Sequence, residues 1–285
     1  MIDDRLVVVV VPAYEEELFV GRVVTTMPAF VDRIVVVDDA STDGTSKAAL
    51  AAGDDRVRVV RHPRRRGVGA AIATGYRAAL DETAHPHDAI VVMAGDGQMD
   101  PADLREVVRP ILEGRAAYVK GDRFGDPTVR RQMGLPRWIG GQVFSRLTGL
   151  AIGRPVSDSQ CGYTALARHA ALAVDLDGLW PSFGYPNDLL GQLAARGLAI
   201  EEVPVRPVYG AEKSHLRLRH LPPIFFLLAR AAVRRARSAR HPNGRGRAEQ
   251  GACGPAAPYH PEDTGCEPRV TPRAPAPSPD AASEP

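Results

Sequence analysis

Ile90-Val91-Val92-Met93-Ala94-Gly95-Asp96-Gly97-Gln98-Met99-Asp100-Pro101 places four apolar residues directly before a small, polar, glycine-flanked turn. An unbroken apolar run of this length reads as a strand buried in a parallel sheet. In open α/β sheets, ligands collect beyond the carboxyl ends of the strands. Asp96, Gln98 and Asp100 therefore stand where oxygen ligands meet a hard cation and a phosphate. Mg²⁺ and Mn²⁺ favour such oxygens, and Mg²⁺ commonly takes one or two carboxylates together with substrate phosphates. Taken alone, the same residues also read as an Asp-capped turn with Pro101 opening a helix.

The neighbouring stretches weigh in on that choice. Leu6 to Val11 is a β-branched run that ends in Pro12-Ala13-Tyr14-Glu15-Glu16-Glu17. Phe19, Val20, Val23, Val24 and Met27 then recur at helical spacing. Ile34 to Val37 reads as a second buried strand and ends in Asp38-Asp39-Ala40-Ser41-Thr42-Asp43-Gly44-Thr45, ahead of a helix over 46–52. A third strand over 57–60 leads into a basic loop, 62–69, and a helix over 70–80. A helix over 104–112 and a strand over 116–120 follow the opening motif. Strand–helix alternation with short connections predicts a parallel sheet with right-handed crossovers. Its carboxyl ends then share one edge, where Tyr14/Glu16, Asp38/Asp39 and Asp96/Gln98 become one site. The basic loop lacks the Gly-Lys-Ser/Thr end of a triphosphate cradle. Its amides near Gly67 and Gly69, with Arg64 to Arg66, read equally as an anion-facing turn or as a solvated basic turn.

Beyond Gly121 the alternation breaks. Ile139, Val143, Leu147 and Leu150 fall on one helical face. Such a face covers a core or, beside basic and aromatic residues, lies on a membrane surface. Asp158-Ser159-Gln160-Cys161-Gly162 precedes a strand over 163–167. A helix over 189–196 and a strand over 199–205 come next, with Pro204 pushing the strand towards a sheet edge. Ile224 to Ala229 is strongly apolar and is followed by Arg230, Arg234, Arg235, Arg237 and Arg240. It is too short to span a bilayer. It reads as a segment for an anionic membrane surface or as a helix docked on the domain. No recognised nucleic-acid-binding motif accompanies these arginines. From about His241 the chain is rich in proline, ten of 45 residues, and poor in aliphatics, so a disordered tail is expected.

The 285 residues carry a net charge of +2, but ten Lys or Arg and no acid lie between Lys213 and Ala248. Three widely spaced cysteines form no disulfide framework or metal-ligand pattern. The acidic start does not read as a signal peptide, so none is expected. A cytoplasmic protein is expected, free or peripheral on the membrane.

Six stretches in order carry a resemblance over about residues 6–216. They are Val10 to Glu16, Val36 to Thr45, Gly67 to Ala71, Met93 to Gln98, Gly121 to Phe124 and Asp158 to Gly162. Together they resemble the family 2 glycosyltransferases of the GT-A fold, in particular the dolichol-phosphate (polyprenyl-phosphate) mannosyltransferase-like branch. The resemblance implies an α/β catalytic domain over 1–216 with a mostly parallel central sheet flanked by helices. An amphipathic C-terminal helix over 217–240 and the tail over 241–285 would follow. It also implies that Pro12, Tyr14, Glu16 and Asp39 line the base and ribose pocket of a GDP- or UDP-linked sugar, with Gly67 in the nucleotide-sugar site. Asp96 and Gln98 would bind Mg²⁺ or Mn²⁺. Arg123 and Arg137 would meet the phosphate of a polyprenyl-phosphate acceptor. Lys213 and Ser214 would lie in the loop that closes over the donor diphosphate. The chain departs from the branch at two positions. Ala94 stands where an aspartate is usual, and Gly141 where a serine is usual. A phosphate acceptor needs no strong base, whereas a hydroxyl acceptor would need one, with Asp100 or Asp158 as candidates. A nucleotide-sugar-binding module without turnover is the non-enzyme alternative.

Overall fold

The computed structural model describes residues 1–2, 4–125, 129, 133–208 and 221–240. Seven strands build one sheet: β1 (Val7–Ala13), β2 (Arg33–Asp38), β3 (Val57–Arg61), β4 (Ala89–Val92), β5 (Tyr118–Asp122), β6 (Thr164–Ala167) and β7 (Ile200–Pro204). Their order is β3-β2-β1-β4-β6-β5-β7. β1 and β4 are buried along their whole length, as their unbroken apolar sequences require. All neighbours pair in parallel except β6, which runs antiparallel to both β4 and β5. Strict alternation predicts no reversed strand, and β6 enters where that alternation has already broken. β7 is an edge strand, as Pro204 predicts.

The helices are α1 (Val20–Thr25), α2 (Thr45–Ala51), α3 (Val68–Glu82), α4 (Leu104–Leu112), α5 (Leu135–Ile152), α6 (Arg168–Ala173), α7 (Tyr185–Ala195) and α8 (Leu221–Arg240). Short α6, directly after β6, is not anticipated by periodicity. α3 lies on β1 at Gly75, where an added Cβ would overlap the Val10 side chain. Tyr76, Ile72 and Ala79 on the same helix are fully buried.

For two helices the structure bears on alternatives that the sequence leaves open. On α5 the apolar stripe points outward: Ile139 and Val143 are almost half exposed, and Leu150 is more so. Its inward face is small and polar. Gly141 packs on the Phe124 ring, Gly149 on the backbone of Arg154, and the Ser145 hydroxyl accepts from the Ser159 N–H at 2.9 Å. Close backbone approach and hydrogen bonding, rather than apolar area, set the orientation of this helix. α8 falls within the same compact unit as the sheet. Leu227, Leu228 and Ala231 are buried, with Leu227 against Gly184 and Ala231 against Gly191. Arg234 Nη1 donates to buried Asp188 Oδ1 at 2.5 Å, and Arg230 Nη1 lies 3.5 Å from the same oxygen. The docked alternative therefore holds for one face of α8, while Phe225 and Phe226 stay exposed on it.

Filling the α3–β1 contact strains a packed interior. Gly75→Ala is expected to destabilise the fold by about 1–3 kcal/mol. A thermal melt should show the midpoint several degrees lower, and an unchanged midpoint would contradict this packing.

Candidate active site

Backbone pairing continues past the strands and aligns their ends. The Asp39 N–H donates to the Ala13 carbonyl at 2.9 Å, and the His62 N–H to the Asp38 carbonyl at 2.9 Å. The Met93 N–H reaches the Val10 carbonyl at 3.0 Å, and the Gly95 N–H the Pro12 carbonyl at 3.1 Å. Tyr14, Asp39, His62 and Asp96 thus leave the sheet along one edge. β5 and β7 run in the same direction, so Arg123 and Arg206 emerge there too. Because β6 is reversed, the Asp158–Gly162 segment that leads into it also reaches this edge.

On the β1–β2 side, Pro12 is buried and the Arg65 guanidinium sits 3.7 Å above the centre of the Tyr14 ring. The Glu16 N–H donates to Thr45 Oγ1 at 2.8 Å. The two turns each hold a non-glycine residue in the left-handed region, Glu15 at φ 58° and Ala40 at φ 63°. Such conformations are sparsely populated and persist where surrounding contacts over-determine them. The Ser41 hydroxyl, accepting from the Glu15 N–H at 2.9 Å, supplies one of those contacts.

Asp38 and Asp39 have different work. Burial alone would push the Asp38 carboxyl up, but hydrogen bonds from Ser41 and Ser46 and the charge of Arg61 hold it below the ordinary value. Asp39 is buried and fastens the basic loop. Its Oδ1 meets His62 Nδ1 at 2.7 Å and the Arg66 N–H at 2.8 Å, while Oδ2 accepts the Gly67 N–H at 2.7 Å. His62 Nε2 is in turn 3.0 Å from Thr74 Oγ1. The Gly69 and Ala70 N–H groups donate to the Pro181 carbonyl at 3.0 and 3.2 Å. The anion-facing reading of these amides is therefore corrected, since protein acceptors take them. Gly67, at φ 98° and against the Pro181 carbonyl, is needed to turn the chain.

At the centre, the Gln98 N–H donates to Asp96 Oδ1 at 3.0 Å, and Gly97 at φ 73° completes the turn. Asp100 caps a 3₁₀ turn over Pro101–Asp103, accepting from the Ala102 N–H at 2.9 Å. Among the described residues no three His, Cys, Asp or Glu side chains gather as a metal cage. One carboxylate and one amide oxygen in a solvent-reachable turn suit a hard cation that draws its other ligands from phosphate and water.

The segment after β7 is stitched to this turn. The Val208 N–H donates to the Gln98 carbonyl at 2.9 Å. The Arg206 N–H reaches Asp103 Oδ2 at 2.6 Å, and its Nε and Nη2 reach Oδ1 at 3.0 and 2.7 Å. Sequence reasoning missed Arg206, because a single arginine after an edge strand has no distinguishing pattern.

Arg123 forms a two-pronged pair with Asp158, Nε to Oδ2 at 2.6 Å and Nη2 to Oδ1 at 3.0 Å. Asp158 is fully buried, whereas Arg123 is about one-fifth exposed. Burial would raise the Asp158 carboxyl, but the Arg123 charge and hydrogen bonds, with Lys120 behind, outweigh it and hold it low. Fully buried Lys120 donates to the Cys161 carbonyl at 2.6 Å, and burial pushes its ammonium down. Burial likewise pushes the Asp122 carboxyl up, with Asp158 and Glu202 adding to it. Gln98, Arg123, Gly162, Tyr163 and Arg206 line one cleft. Arg137 belongs to α5, with its side chain outside the described residues, as Lys213 and Ser214 are altogether. At Gly141 a Cβ would overlap the Phe124 ring, so a serine there would need that ring to move.

The glycosyl transferase family 2 model matches residues 8–174, which span β1 to β6 and hold most of this edge. The chain belongs to glycosyl transferase family 2. It is 29% identical over 221 residues to the UDP-N-acetylglucosamine–dolichyl-phosphate N-acetylglucosaminyltransferase of Methanococcus voltae, covering 72% of this chain and 87% of that one. It is 29% identical over 211 residues to the undecaprenyl-phosphate mannosyltransferase of Micrococcus luteus, covering 70% of this chain and 82% of the relative. Glucosyl-3-phosphoglycerate synthase of Mycobacterium tuberculosis, solved with Mn²⁺, uridine diphosphate and glucosyl-3-phosphoglycerate, superposes with a TM-score of 0.59. That match has 23% identity and covers 81% of each chain. The fold of this glycosyltransferase is GT-A.

The Arg123–Asp158 pair makes stability depend on pH with a definite sign. A carboxyl held below its ordinary value of 3.8 stabilises the fold above that value, and the contribution is lost as pH falls through the lowered one. Asp158→Asn should cost about 3 kcal/mol at neutral pH. Urea melts should show the gap to wild type narrowing below about pH 4. A gap independent of pH would contradict the pair.

Proposed function

We propose that this glycosyltransferase moves a sugar from a GDP- or UDP-linked donor to polyprenyl phosphate by a single inverting displacement at the shared strand edge. The observation that carries the reading is Arg123, held from behind by buried Asp158 and lining the same cleft as Gln98. A guanidinium fixed in this way is already oriented at the cleft, which lowers the reorganisation cost of meeting an anion there. The names of the two relatives, both acting on polyprenyl or dolichyl phosphates, support the same acceptor class.

Pro12, Tyr14, Glu16 and Asp39 would line the base and ribose pocket, with Gly67 shaping its wall. Asp96 and Gln98 would hold Mg²⁺ or Mn²⁺, and such an ion, when bound, offsets charge on the leaving diphosphate. Lys213 and Ser214 would close over that diphosphate, and Arg137 would share the acceptor phosphate with Arg123. An acceptor phosphate is already anionic at neutral pH and needs no base. A hydroxyl acceptor needs one, and neither candidate is poised for it. Asp158 is committed to Arg123, and Asp100 caps the 3₁₀ turn 3.7 Å from Arg206. This weighs against the hydroxyl-acceptor reading.

A membrane-embedded acceptor fits the exposed apolar residues of α5 and α8. Ile139, Val143, Phe225 and Phe226 are exposed, and the rings of Phe144 and Phe225 lie 6.0 Å apart across the two helices. Among the described residues no helix is long and apolar enough to cross a bilayer. Apolar side chains beside arginines suit a peripheral contact with an anionic lipid surface. Replacing Phe225 and Phe226 by serine should lower pelleting with anionic liposomes several-fold, and undiminished pelleting would contradict the contact.

Asp96→Ala should reduce transfer from labelled nucleotide sugars to polyprenyl phosphate at least a hundredfold. Arg123→Ala should raise the acceptor KM and leave nucleotide binding intact. Near-normal turnover in the first variant, or equal loss of nucleotide affinity in the second, would overturn the assigned roles. Saturable donor binding by wild type without turnover would instead favour the binding module.

A further inference from the structure

We infer that the donor's base is uracil rather than guanine, and that Asp39 selects it through the one acceptor position its carboxylate keeps open. This rests on the reading that Asp39 lines the base pocket of a nucleotide-sugar transferase, and it names the base.

Asp39 directly follows β2, and its own chain nearly fills its carboxylate. Oδ1 takes two donors, His62 Nδ1 at 2.7 Å and the Arg66 N–H at 2.8 Å. Oδ2 takes one, the Gly67 N–H at 2.7 Å. With Nδ1 donating to Asp39, His62 Nε2 accepts the Thr74 hydroxyl at 3.0 Å. His62 is 4% exposed and held at both ring nitrogens, so it does not swing away from Oδ1. The Arg66 and Gly67 amides are fixed as well. They immediately precede α3, whose Gly69 and Ala70 amides are tied to the Pro181 carbonyl.

A carboxylate offers about four lone-pair positions, shared between its two oxygens. On Asp39 the positions of Oδ1 are taken, and one on Oδ2 remains. That count separates the two bases. Guanine presents two N–H donors side by side, at N1 and N2, and a carboxylate receives such a pair as a fork, one on each oxygen. With Oδ1 filled, one of guanine's donors would be left without an acceptor, which costs affinity in a buried site. Uracil presents a single ring N–H, at N3, between two carbonyls. It matches the one position on Oδ2. Depth favours the same base. Asp39 is 3% exposed, so a single N–H can meet it at its margin, whereas a fork needs both oxygens laid open. The ordinary reading of Asp39 is a fastener of the basic loop that meets no ligand, and it predicts no dependence on the donor at N3.

Substitutions at Asp39 or His62 would release the basic loop, so the ligand is varied instead of the protein. Calorimetry on the full chain with Mn²⁺ compares UDP, GDP, CDP and N3-methyl-UDP. All four carry the same ribose and diphosphate, so differences in affinity report the base. CDP places a lone pair at N3 where uracil has N–H, and N3-methyl-UDP replaces that hydrogen with a methyl group. UDP is expected to bind roughly ten- to hundredfold more tightly than each of the other three, the range for losing a hydrogen bond to a charged group.

GDP binding as tight as UDP would overturn the inference. So would N3-methyl-UDP binding within about twofold of UDP, which marks Asp39 as a fastener alone. Turnover separates this from the broader reading. Selective UDP binding without transfer from UDP-linked sugars to polyprenyl phosphate defeats the transferase reading and leaves the base assignment standing. Equal affinity for UDP and GDP with transfer intact does the reverse, and no binding of any of the four defeats both.

Discussion

Parallel pairing of β1 with β2 on one side and β4 on the other is the constraint on which the site depends. It sets Ala13 beside Asp38 and Val10 beside Val92. The turns that follow these strands then begin within a few ångströms of one another. Without that register, Tyr14, Asp39 and Asp96 would belong to three unrelated loops. The register is itself fixed by burial. β1 and β4 are covered on both faces, so a slip would misplace every apolar side chain.

Buried charge organises the rest of the edge. Asp39, Asp158 and Asp188 are each almost inaccessible, and each ties a different element to the site. Asp39 holds the basic loop, Asp158 holds Arg123, and Asp188 joins α8 to the Trp180 N–H at 3.0 Å. A buried carboxylate costs several kcal/mol unless it is paired and hydrogen-bonded. All three are hydrogen-bonded, and Asp158 and Asp188 also face arginines, so their burial favours one arrangement of loops over others. Pro181, next to Trp180, caps α3 at Gly69 and Ala70 and links that arrangement back to the Asp39 loop.

How much of this was legible in the sequence follows from the range of each interaction. The strands of the first half are continuous apolar runs, and β1 to β4 lie within a few residues of the ranges their sequences predict. The shared edge follows from alternation alone, so the convergence of Tyr14, Asp39 and Asp96 could be read in advance. The reversal of β6 could not, because a four-residue strand shows no direction in its composition. The outward turn of α5 could not be decided from its periodicity, which suits a core and a lipid surface alike. There the deciding contacts are Gly141 on Phe124 and Ser145 on Ser159, which are tertiary and leave no periodic trace. Arg206 was invisible for the same reason, since its meaning comes from Asp103, 103 residues earlier. Asp158 carried the opposite error of emphasis. From sequence it is a candidate base, and the structure pairs it with Arg123.

A phosphate acceptor and an alcohol acceptor ask different chemistry of this edge. The most direct measurement supplies wild-type protein, Mn²⁺ and a labelled nucleotide-sugar panel with either polyprenyl phosphate or the matching polyprenol, and counts lipid-extractable label. Label is expected in the phosphate reaction and none above background in the alcohol reaction. Comparable labelling of the alcohol, or transfer to a sugar hydroxyl with the lipid phosphate left untouched, would contradict it.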